Sequence, residues 1–406
     1  MTLADPKLPR EEAFARTRFG ETGPARAHQV AEIAALHADG VDREGRFPEE
    51  AIAALRETGL MSIQVPARFG GEGASVSDVV DVCYRLGRAC SSTAMIYAMH
   101  QVKVSCVVRH GVGNSWQEDF MRRMAADQLL LASSTTEGGG GGNVRSSEAP
   151  VEQTGGRIML VRNASVISYG AQADAVVTTA RRNADADGAD QVLIVFEKSD
   201  YSLERSGGWD TLGMRGTCSA GFTLKAVGRP EQILDEPYGA IHTQSMVPAA
   251  HLMWSGVWAG IAAGAVERAR KYMRKAARGA DGVLPPGAAH FTKATASLRA
   301  LRALISASLA RYESIADNPS ALGAIDFQTA INLLKVDSSE LAVATVLSAL
   351  RATGLAGYRN DGDVSIGRSL RDVLSSPIMI NNDRILANLA NSALLADVPL
   401  FLRDQP

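Results

Sequence analysis

The sequence has few cysteines, few aromatic residues and almost no net charge. Its 406 residues include four cysteines, and aromatic residues make up 5% of the chain. The cysteines form no C-x-x-C pair, so we predict reduced thiols in a cytoplasmic protein and neither a disulfide framework nor a zinc site. The formal net charge is -2, which gives no overall field to attract nucleic acid or an anionic membrane.

Several enzyme motifs are also missing from the sequence. It contains no H-E-x-x-H, no G-x-S-x-G and no G-x-x-x-x-G-K-[ST], which argues against zinc hydrolysis, α/β-hydrolase chemistry and P-loop phosphate binding. Basic and aromatic residues do not interleave in any patch, so no nucleic-acid partner is expected.

One stretch is long enough to cross a membrane. Residues 247–266, "VPAAHLMWSGVWAGIAAGAV", are half alanine, glycine and serine, and the charged run "ERARKYMRKAAR" follows directly. Small residues on all sides suit close packing between helices, and the hydropathy is low for a membrane span. We therefore predict a buried bundle helix and no membrane span.

What the sequence does contain is a succession of three patterns. Residues 1–127 show helical periodicity, residues 128–237 form short β-branched runs separated by Gly, Asp and Asn, and residues 238–406 return to long amphipathic segments. The predicted fold is α+β and mostly α, with an N-terminal helical domain, a central β-domain and a C-terminal four-helix bundle.

Two glycine-containing stretches are candidates for a ligand site, and the first stands where the helical and strand patterns meet. The first, "TTEGGGGGN" at residues 135–143, follows a strand-like segment, and the second, "SVISYGAQAD", covers residues 165–174. Thr135, Thr136 and Ser168 would offer hydroxyl and backbone donors to a polar, planar ring held between two such loops. The alternative is a pair of ordinary hairpin turns, and the residues alone do not separate the two interpretations.

Five features, two of them the glycine-containing stretches, resemble the acyl-CoA dehydrogenase superfamily of flavoproteins over most of the chain. "VPARFGGEG" is similar to its P-x-x-x-G-G-x-G stretch, "TTEGGGGGN" to its T-E-P-x-x-G-S-D loop, and "VISYGAQAD" to its W-I-T-N-G-x-x-A-D stretch. "LGMRGT" resembles its L-G-x-R-G-(S/T) stretch, and the last two long segments match its final helices. Each motif alone is weak, but their number and order favour the resemblance.

The resemblance implies FAD as the cofactor and a set of residues that hold it. Thr135 and Thr136 correspond to residues facing the flavin ring, Ser168 to a hydroxyl near its N5/O4 edge, and Val166 to a tryptophan that usually covers it. Arg278 corresponds to an arginine that contacts the FAD of a neighbouring subunit, so a homotetramer or homodimer is implied. The full set of implied cofactor-binding residues is Ser133, Thr135, Thr136, Gly141, Gly142, Val166, Ser168, Arg278, Arg351 and Asn382.

The same resemblance shows an unusual catalytic position. The glutamate that serves most of the family as base corresponds to Ile380, and the alternative family position corresponds to Ala250 and His251. Asp383 is the nearest carboxylate, and it is read either as a relocated base or as a helix cap or ion-pair partner. His251 is read either as a base or as a histidine satisfied in the core or cleft.

Three functions follow from the resemblance. The leading one is FAD-dependent α,β-dehydrogenation of an acyl thioester, on CoA or a carrier protein, with Asp383 as an atypical base. The first alternative is a flavin-dependent monooxygenase on the same fold, which needs no removal of an α-proton. The second is a flavin-bearing protein that binds a partner without turnover. The electron acceptor stays open, and no metal is expected.

Overall fold

The first part of the described chain, residues 22–127, is mostly helical. The computed structural model describes residues 22–137 and 144–395. Its first helices are α1 (Gly23–Glu44), α2 (Glu49–Glu57), α3 (Val76–Gly87), α4 (Ser91–His110) and α5 (Ser115–Asp127). Polar side chains begin two of them, since Ser75 accepts a hydrogen bond from the Asp78 N–H and Asn114 accepts from Trp116 and Gln117.

Seven strands follow in two sheets. They are β1 (Leu131–Ser134), β2 (Glu152–Thr154), β3 (Arg157–Ile167), β4 (Ala175–Arg181), β5 (Gln191–Glu197), β6 (Tyr201–Arg205) and β7 (Ala220–Gly228). One sheet has the order β1-β4-β5, with β1 and β4 parallel, and the other has the antiparallel order β2-β3-β7-β6. β4 and β5 are buried on both faces, which explains their unbroken apolar runs.

From Tyr238 to Leu395 the described chain is again mostly helical. Its helices are α6 (Tyr238–Ile241), α7 (Val247–Arg278), α8 (Ala288–Ile315), α9 (Pro319–Gly323), α10 (Ile325–Thr353), α11 (Leu355–Tyr358), α12 (Gly367–Val373) and α13 (Asn382–Leu395). A π-helical turn, His242–Met246, joins α6 to α7. Helices α7, α8 and α10 pack on one another and α13 packs on α10, which confirms the predicted fold class.

Helix α7 is the buried helix that the sequence predicts. One helical stretch, Tyr238–Arg278, is long and apolar enough to cross a membrane, and 94% of its most apolar window is buried inside the protein. Its small residues let α3 approach closely: a Cβ on Gly260 would lie 2.4 Å from the Tyr84 carbonyl oxygen, and one on Gly87 would lie 2.5 Å from that of Val257. The alanine and glycine content is therefore explained by helix packing.

The four cysteines are free thiols, as predicted. Cys83, Cys90 and Cys106 are buried, and Cys218 is half-buried. The change from helix to strand falls between Asp127 and Leu131. The boundaries at 127/128 and 237/238 stay predictions as limits of independently folding units.

Candidate active site

A large cavity lies where the helical and strand parts meet. Its volume is about 1020 Å³, and it is lined by α4, the ends of β1 and β3, residues 209–219, α7, α10 and the segment from Arg371 to Leu389. Such a volume is at the upper end of the range typical of ligand sites. The cavity therefore has room for a cofactor together with a substrate.

Five of the predicted cofactor residues line this cavity. They come from the two loops that the sequence singled out, and they are Ser133, Thr135, Thr136, Val166 and Ser168. The glycine run itself, with Gly141 and Gly142, lies outside the described residues. The structure thus brings the two predicted loops together, although their sequence positions are some thirty residues apart.

A bulge at the end of β3 aims the second loop into the cavity. The pairing of β3 with β7 shifts register between Ala164 and Ile167, and bulges of this kind redirect side chains beside active sites. Tyr169 then adopts φ 44°, is buried, and donates from its hydroxyl to the Leu131 carbonyl at 3.0 Å. The bulge and this anchor fix the direction of Val166 and Ser168.

A chain of hydroxyl groups crosses the cavity wall beside Ser168. The Ser168 and Ser219 Oγ atoms are 2.7 Å apart, and the Thr217 Oγ1 and Ser219 Oγ atoms are 2.8 Å apart. Sequence reasoning missed Thr217 and Ser219 as site residues. The available signal was the "LGMRGTCS" stretch, whose resemblance was noted without assigning any side chain.

The loop carrying these hydroxyls is fastened to the C-terminal helices by Asp372. The Met214 N–H donates to Asp372 Oδ1 at 2.7 Å, and burial raises the pKa of the Asp372 carboxyl. A Cβ on Gly213 would lie 2.2 Å from the Arg371 carbonyl oxygen. Arg371 in turn pairs with Asp42 of α1. The adjacent residues Arg371 and Asp372 thus connect all three parts of the chain at the cavity, since Arg371 contacts α1 and Asp372 contacts the loop at Met214.

Ile380 lines the cavity in an unfavourable backbone conformation. Its φ is 47°, in the left-handed region that β-branched residues rarely adopt. The Lys335 Nζ donates to three oxygens of this segment: the Ser376 carbonyl at 3.0 Å, the Ile380 carbonyl at 3.0 Å and Asn382 Oδ1 at 2.6 Å. These bonds hold the turn that carries residue 380.

No carboxylate lines the cavity among the residues that the structure describes. Asp383 lies in the first turn of α13 and is exposed, outside the cavity lining. The cap of that helix is Asn381, whose Oδ1 accepts from the Asp383 N–H at 2.8 Å and from the Arg384 N–H at 3.4 Å. The structure therefore does not bring the predicted catalytic carboxylate to the site.

Three predicted cofactor residues also lie away from the cavity lining. Asn382 is buried, and its Nδ2 donates to Ser339 Oγ and Glu340 Oε1, both at 2.9 Å. Its side chain serves the Lys335 network. Arg351 is exposed on α10, and Arg278 is exposed at the end of α7. The role of Arg278 toward a neighbouring subunit stays a prediction.

Two buried histidines line the cavity in the neutral form. Burial lowers the pKa of His251 to about 3 and that of His242 to about 4. Nδ1 of His251 is 3.0 Å from the Ile331 carbonyl oxygen, which accepts only, so Nδ1 carries the proton and Nε2 the lone pair. His251 is therefore a cleft histidine with an acceptor nitrogen and is a weak base.

The charged groups of the lining are all cationic within the described part of the chain. They are Lys103, Arg145, Arg371 and Arg384. Together with the hydroxyl groups they provide donors for the polar edge of a planar ring and for phosphate. The residues present thus fit a flavin nucleotide, which needs a wide cavity, hydroxyl and backbone donors, and positive charge.

Comparisons with known proteins agree with this architecture. The family model for the acyl-CoA dehydrogenase N-terminal domain matches residues 25–128, and that for the C-terminal domain matches residues 242–395. The chain is 27% identical over 255 residues to a putative acyl-CoA dehydrogenase, YdbM, of Bacillus subtilis, which covers 59% of this chain and 63% of YdbM. It is 25% identical over 245 residues to a probable FMNH2-dependent monooxygenase, SfnC, of Pseudomonas putida, covering 58% of each. The matched regions thus span less than two thirds of these relatives.

Solved structures share the fold over nearly the whole chain. FMN-bound TdsC from Paenibacillus superposes with a TM-score of 0.82 at 19% identity, covering 93% of this chain and 98% of TdsC. Methanesulfinate monooxygenase MsuC from Pseudomonas fluorescens gives a TM-score of 0.77 at 20% identity, covering 93% and 98%. With the two family models matching at the same positions as the helical parts, the chain belongs to the acyl-CoA dehydrogenase family, a flavin-binding family.

Proposed function

We propose that this protein is a flavin-dependent monooxygenase that uses reduced flavin and molecular oxygen to oxygenate a small organic substrate in the 1020 Å³ cavity. The observation that carries the proposal is the absence of a carboxylate from the described lining. Within this family's fold, dehydrogenation needs a base on the cavity wall to remove the α-proton of the substrate, and oxygenation does not.

Dehydrogenation of an acyl thioester requires a base for the α-proton. A positioned base must have a pKa near the working pH to be effective. His251, with a pKa of about 3, binds a proton too weakly, and the Lys103 ammonium, with a pKa of about 8, is mostly protonated at neutral pH. Ile380 offers no titratable group. The described wall thus lacks the carboxylate that this step uses in the family, and Lys103 would first have to lose its proton to replace it.

Oxygenation makes a different demand on the protein. A bound reduced flavin would supply the electrons that activate oxygen. The chain's own part is to hold the ring between Val166 and the hydroxyls, to keep bulk water out, and to donate hydrogen bonds at its polar edge. The Ser168, Ser219 and Thr217 hydroxyls form such a donor chain, and apolar side chains cover most of the remaining wall.

The identity of the flavin is part of the proposal. The sequence resemblance implies FAD, with Arg278 reaching a neighbouring subunit in a homodimer or homotetramer. The similarity to SfnC, described as FMNH2-dependent, and the shared fold with FMN-bound TdsC support FMN instead. We propose FMN. The family's T-E-P-x-x-G-S-D loop ends in a serine, which usually contacts the FAD pyrophosphate, and an aspartate, and this chain has Gly142 and Asn143 in their places.

Dehydrogenation is the second candidate, and the similarity to YdbM supports it. It requires Asp383, or a carboxylate from outside the described residues, to enter the cavity. The substrate would then be an acyl thioester, as is usual in the family, and the electron acceptor would stay unassigned. A flavin protein without turnover is the remaining alternative, and it predicts no reaction with either class of substrate.

The test of the proposal is incorporation of labelled oxygen. The purified protein is supplied with reduced FMN and isotopically labelled molecular oxygen, in separate reactions with indole, with methanesulfinate and with a panel of small organic acids. Indole is bound in a TdsC structure and methanesulfinate gives the monooxygenase MsuC its name, and both proteins share the fold. Label in an organic product, dependent on this protein, supports oxygenation. Hydrogen peroxide as the only product with every compound contradicts it.

A further inference from the structure

Lys103 is a buried cation whose role the fold does not explain. Met95, Met99 and Lys103 are spaced four residues apart on α4, so they share one face of that helix, and all three line the cavity. Lys103 is only 2% exposed. Within residues 22–137 and 144–395, the Nζ of Lys103 donates a hydrogen bond to the Met246 sulfur at 3.6 Å.

This environment leaves the ammonium group poorly satisfied. A thioether sulfur is a weak acceptor, and a buried charge without an opposite charge costs several kcal/mol. Burial lowers the pKa of Lys103 to about 8, so the group stays mostly charged at neutral pH. Groups whose pKa is strongly shifted by burial in a cleft cluster at functional sites.

Lys103 differs from the other cations of the cavity in its position. Arg371 is paired with Asp42, and Arg145 and Arg384 are exposed. Lys103 instead lies beside two methionines and the π-helical turn His242–Met246, and π-turns occur frequently at functional sites. A ligand whose anionic group reached Lys103 would pack its apolar body on Met95 and Met99.

We propose that Lys103 binds the anionic group of the substrate, which assigns the substrate to small organic acids with an apolar body, such as aromatic carboxylates or sulfonates. The assignment rests on the proposed function, since it treats the cavity as the place where the substrate is oxygenated. The same chemistry could come from the flavin, whose phosphate is also anionic. The predicted flavin residues are on the β1 and β3 loops, so we assign Lys103 to the substrate.

The test is a binding measurement on the FMN-loaded, oxidised protein, without turnover. Calorimetry compares matched pairs of an acid and its neutral amide: benzoate with benzamide, phenylacetate with phenylacetamide, and acetate with acetamide. The variants are Lys103→Met and the control Lys293→Met, because Lys293 is exposed on α8. A charge-assisted hydrogen bond predicts that at least one acid binds about ten- to hundredfold more tightly than its amide.

The expected result is loss of that preference in Lys103→Met alone, with amide and FMN affinities unchanged. The ligand-free Lys103→Met protein should also melt at a higher temperature, because an unpaired buried charge has been removed. Weaker FMN binding with an unchanged preference for acids would assign Lys103 to the flavin and overturn the proposal. Equal binding of acids and amides to the unaltered protein would overturn it too. Neither result depends on whether the protein oxygenates a substrate.

Discussion

The Lys335 ammonium donates a hydrogen bond to the Ile380 carbonyl oxygen, 3.0 Å away, and holds a β-branched residue at φ 47° on the wall of the cavity. In most relatives, the matching position is expected to carry the catalytic glutamate. Here the turn is kept in place by a buried lysine, while the side chain at its tip is apolar. The turn that the resemblance assigns to the catalytic position therefore presents an apolar side chain to the cavity.

Replacing Lys335 with methionine should destabilise the fold. Methionine fills a similar volume but leaves the Ser376 and Ile380 carbonyl oxygens without their donor, at a cost of about 1–3 kcal/mol each before relaxation. We expect a lower free energy of unfolding in urea titrations, while Lys293→Met, an exposed change on α8, has no effect. A Lys335→Met protein as stable as the unaltered one would show that these bonds do not hold the turn.

His251 should make the fold sensitive to acid. Its folded-state pKa of about 3 lies below the ordinary value of 6.5, so below about pH 6.5 the unfolded chain takes up a proton that the folded chain does not. Stability from this residue is complete above the unfolded pKa and is lost as the pH falls toward the folded one, at up to about 1.4 kcal/mol per pH unit.

The measurement is the difference in unfolding free energy between the unaltered protein and His251→Gln at pH 7, 6, 5 and 4. Other titrating groups are common to both proteins and cancel. We expect the variant to gain stability relative to the unaltered protein as the pH falls, because glutamine takes up no proton in the unfolded chain. A difference that is constant over this range would mean that His251 is not buried in the neutral form.

The hydroxyl chain should contribute to flavin binding. Changing Ser168 or Ser219 to alanine removes a donor beside the predicted ring position, and a single neutral hydrogen bond contributes about 0.5–1.5 kcal/mol, or roughly threefold to tenfold in affinity. The measurement is the FMN dissociation constant from fluorescence quenching. Ser202→Ala, on the exposed edge of β6, is the matched control. Equal affinities in all three variants would place the flavin away from this wall.

Arg278 should act through a second copy of the chain. It is exposed at the end of α7, and the following residues Val283 and Leu284 are 68% and 60% exposed, as a segment covered by a neighbouring subunit would be. We expect light scattering to show a dimer or tetramer, and Leu284→Asp to shift it to smaller species with weaker flavin retention. Arg278→Ala should weaken flavin retention without changing the assembly. A monomer with fully bound flavin would contradict the shared site.

The order of helices and strands could be predicted from the sequence because it depends on local periodicity and on motif order. The loops carrying Thr135 and Ser168 were found for the same reason. Asp383 stays a prediction as the base, and its exposed position could not be foreseen because sequence spacing fixes its helix but not which side of that helix faces the cavity. The contribution of Ser219 depends on the pairing of β3 with β7, and the isolation of Lys103 depends on the packing of α4 against the π-turn. Neither is visible without the tertiary structure.

The reaction of the flavin-loaded protein with acyl thioesters, in the absence of oxygen, tests the central claim most directly. The oxidised protein is mixed with butyryl-CoA, octanoyl-CoA, 3-phenylpropionyl-CoA and isovaleryl-CoA, and the flavin absorbance is followed with Asp383→Asn in parallel. Because the described wall carries no carboxylate to take the α-proton, we predict no bleaching with any thioester. Rapid bleaching by one of them would contradict the monooxygenase account, and its loss in Asp383→Asn would restore that residue as the base.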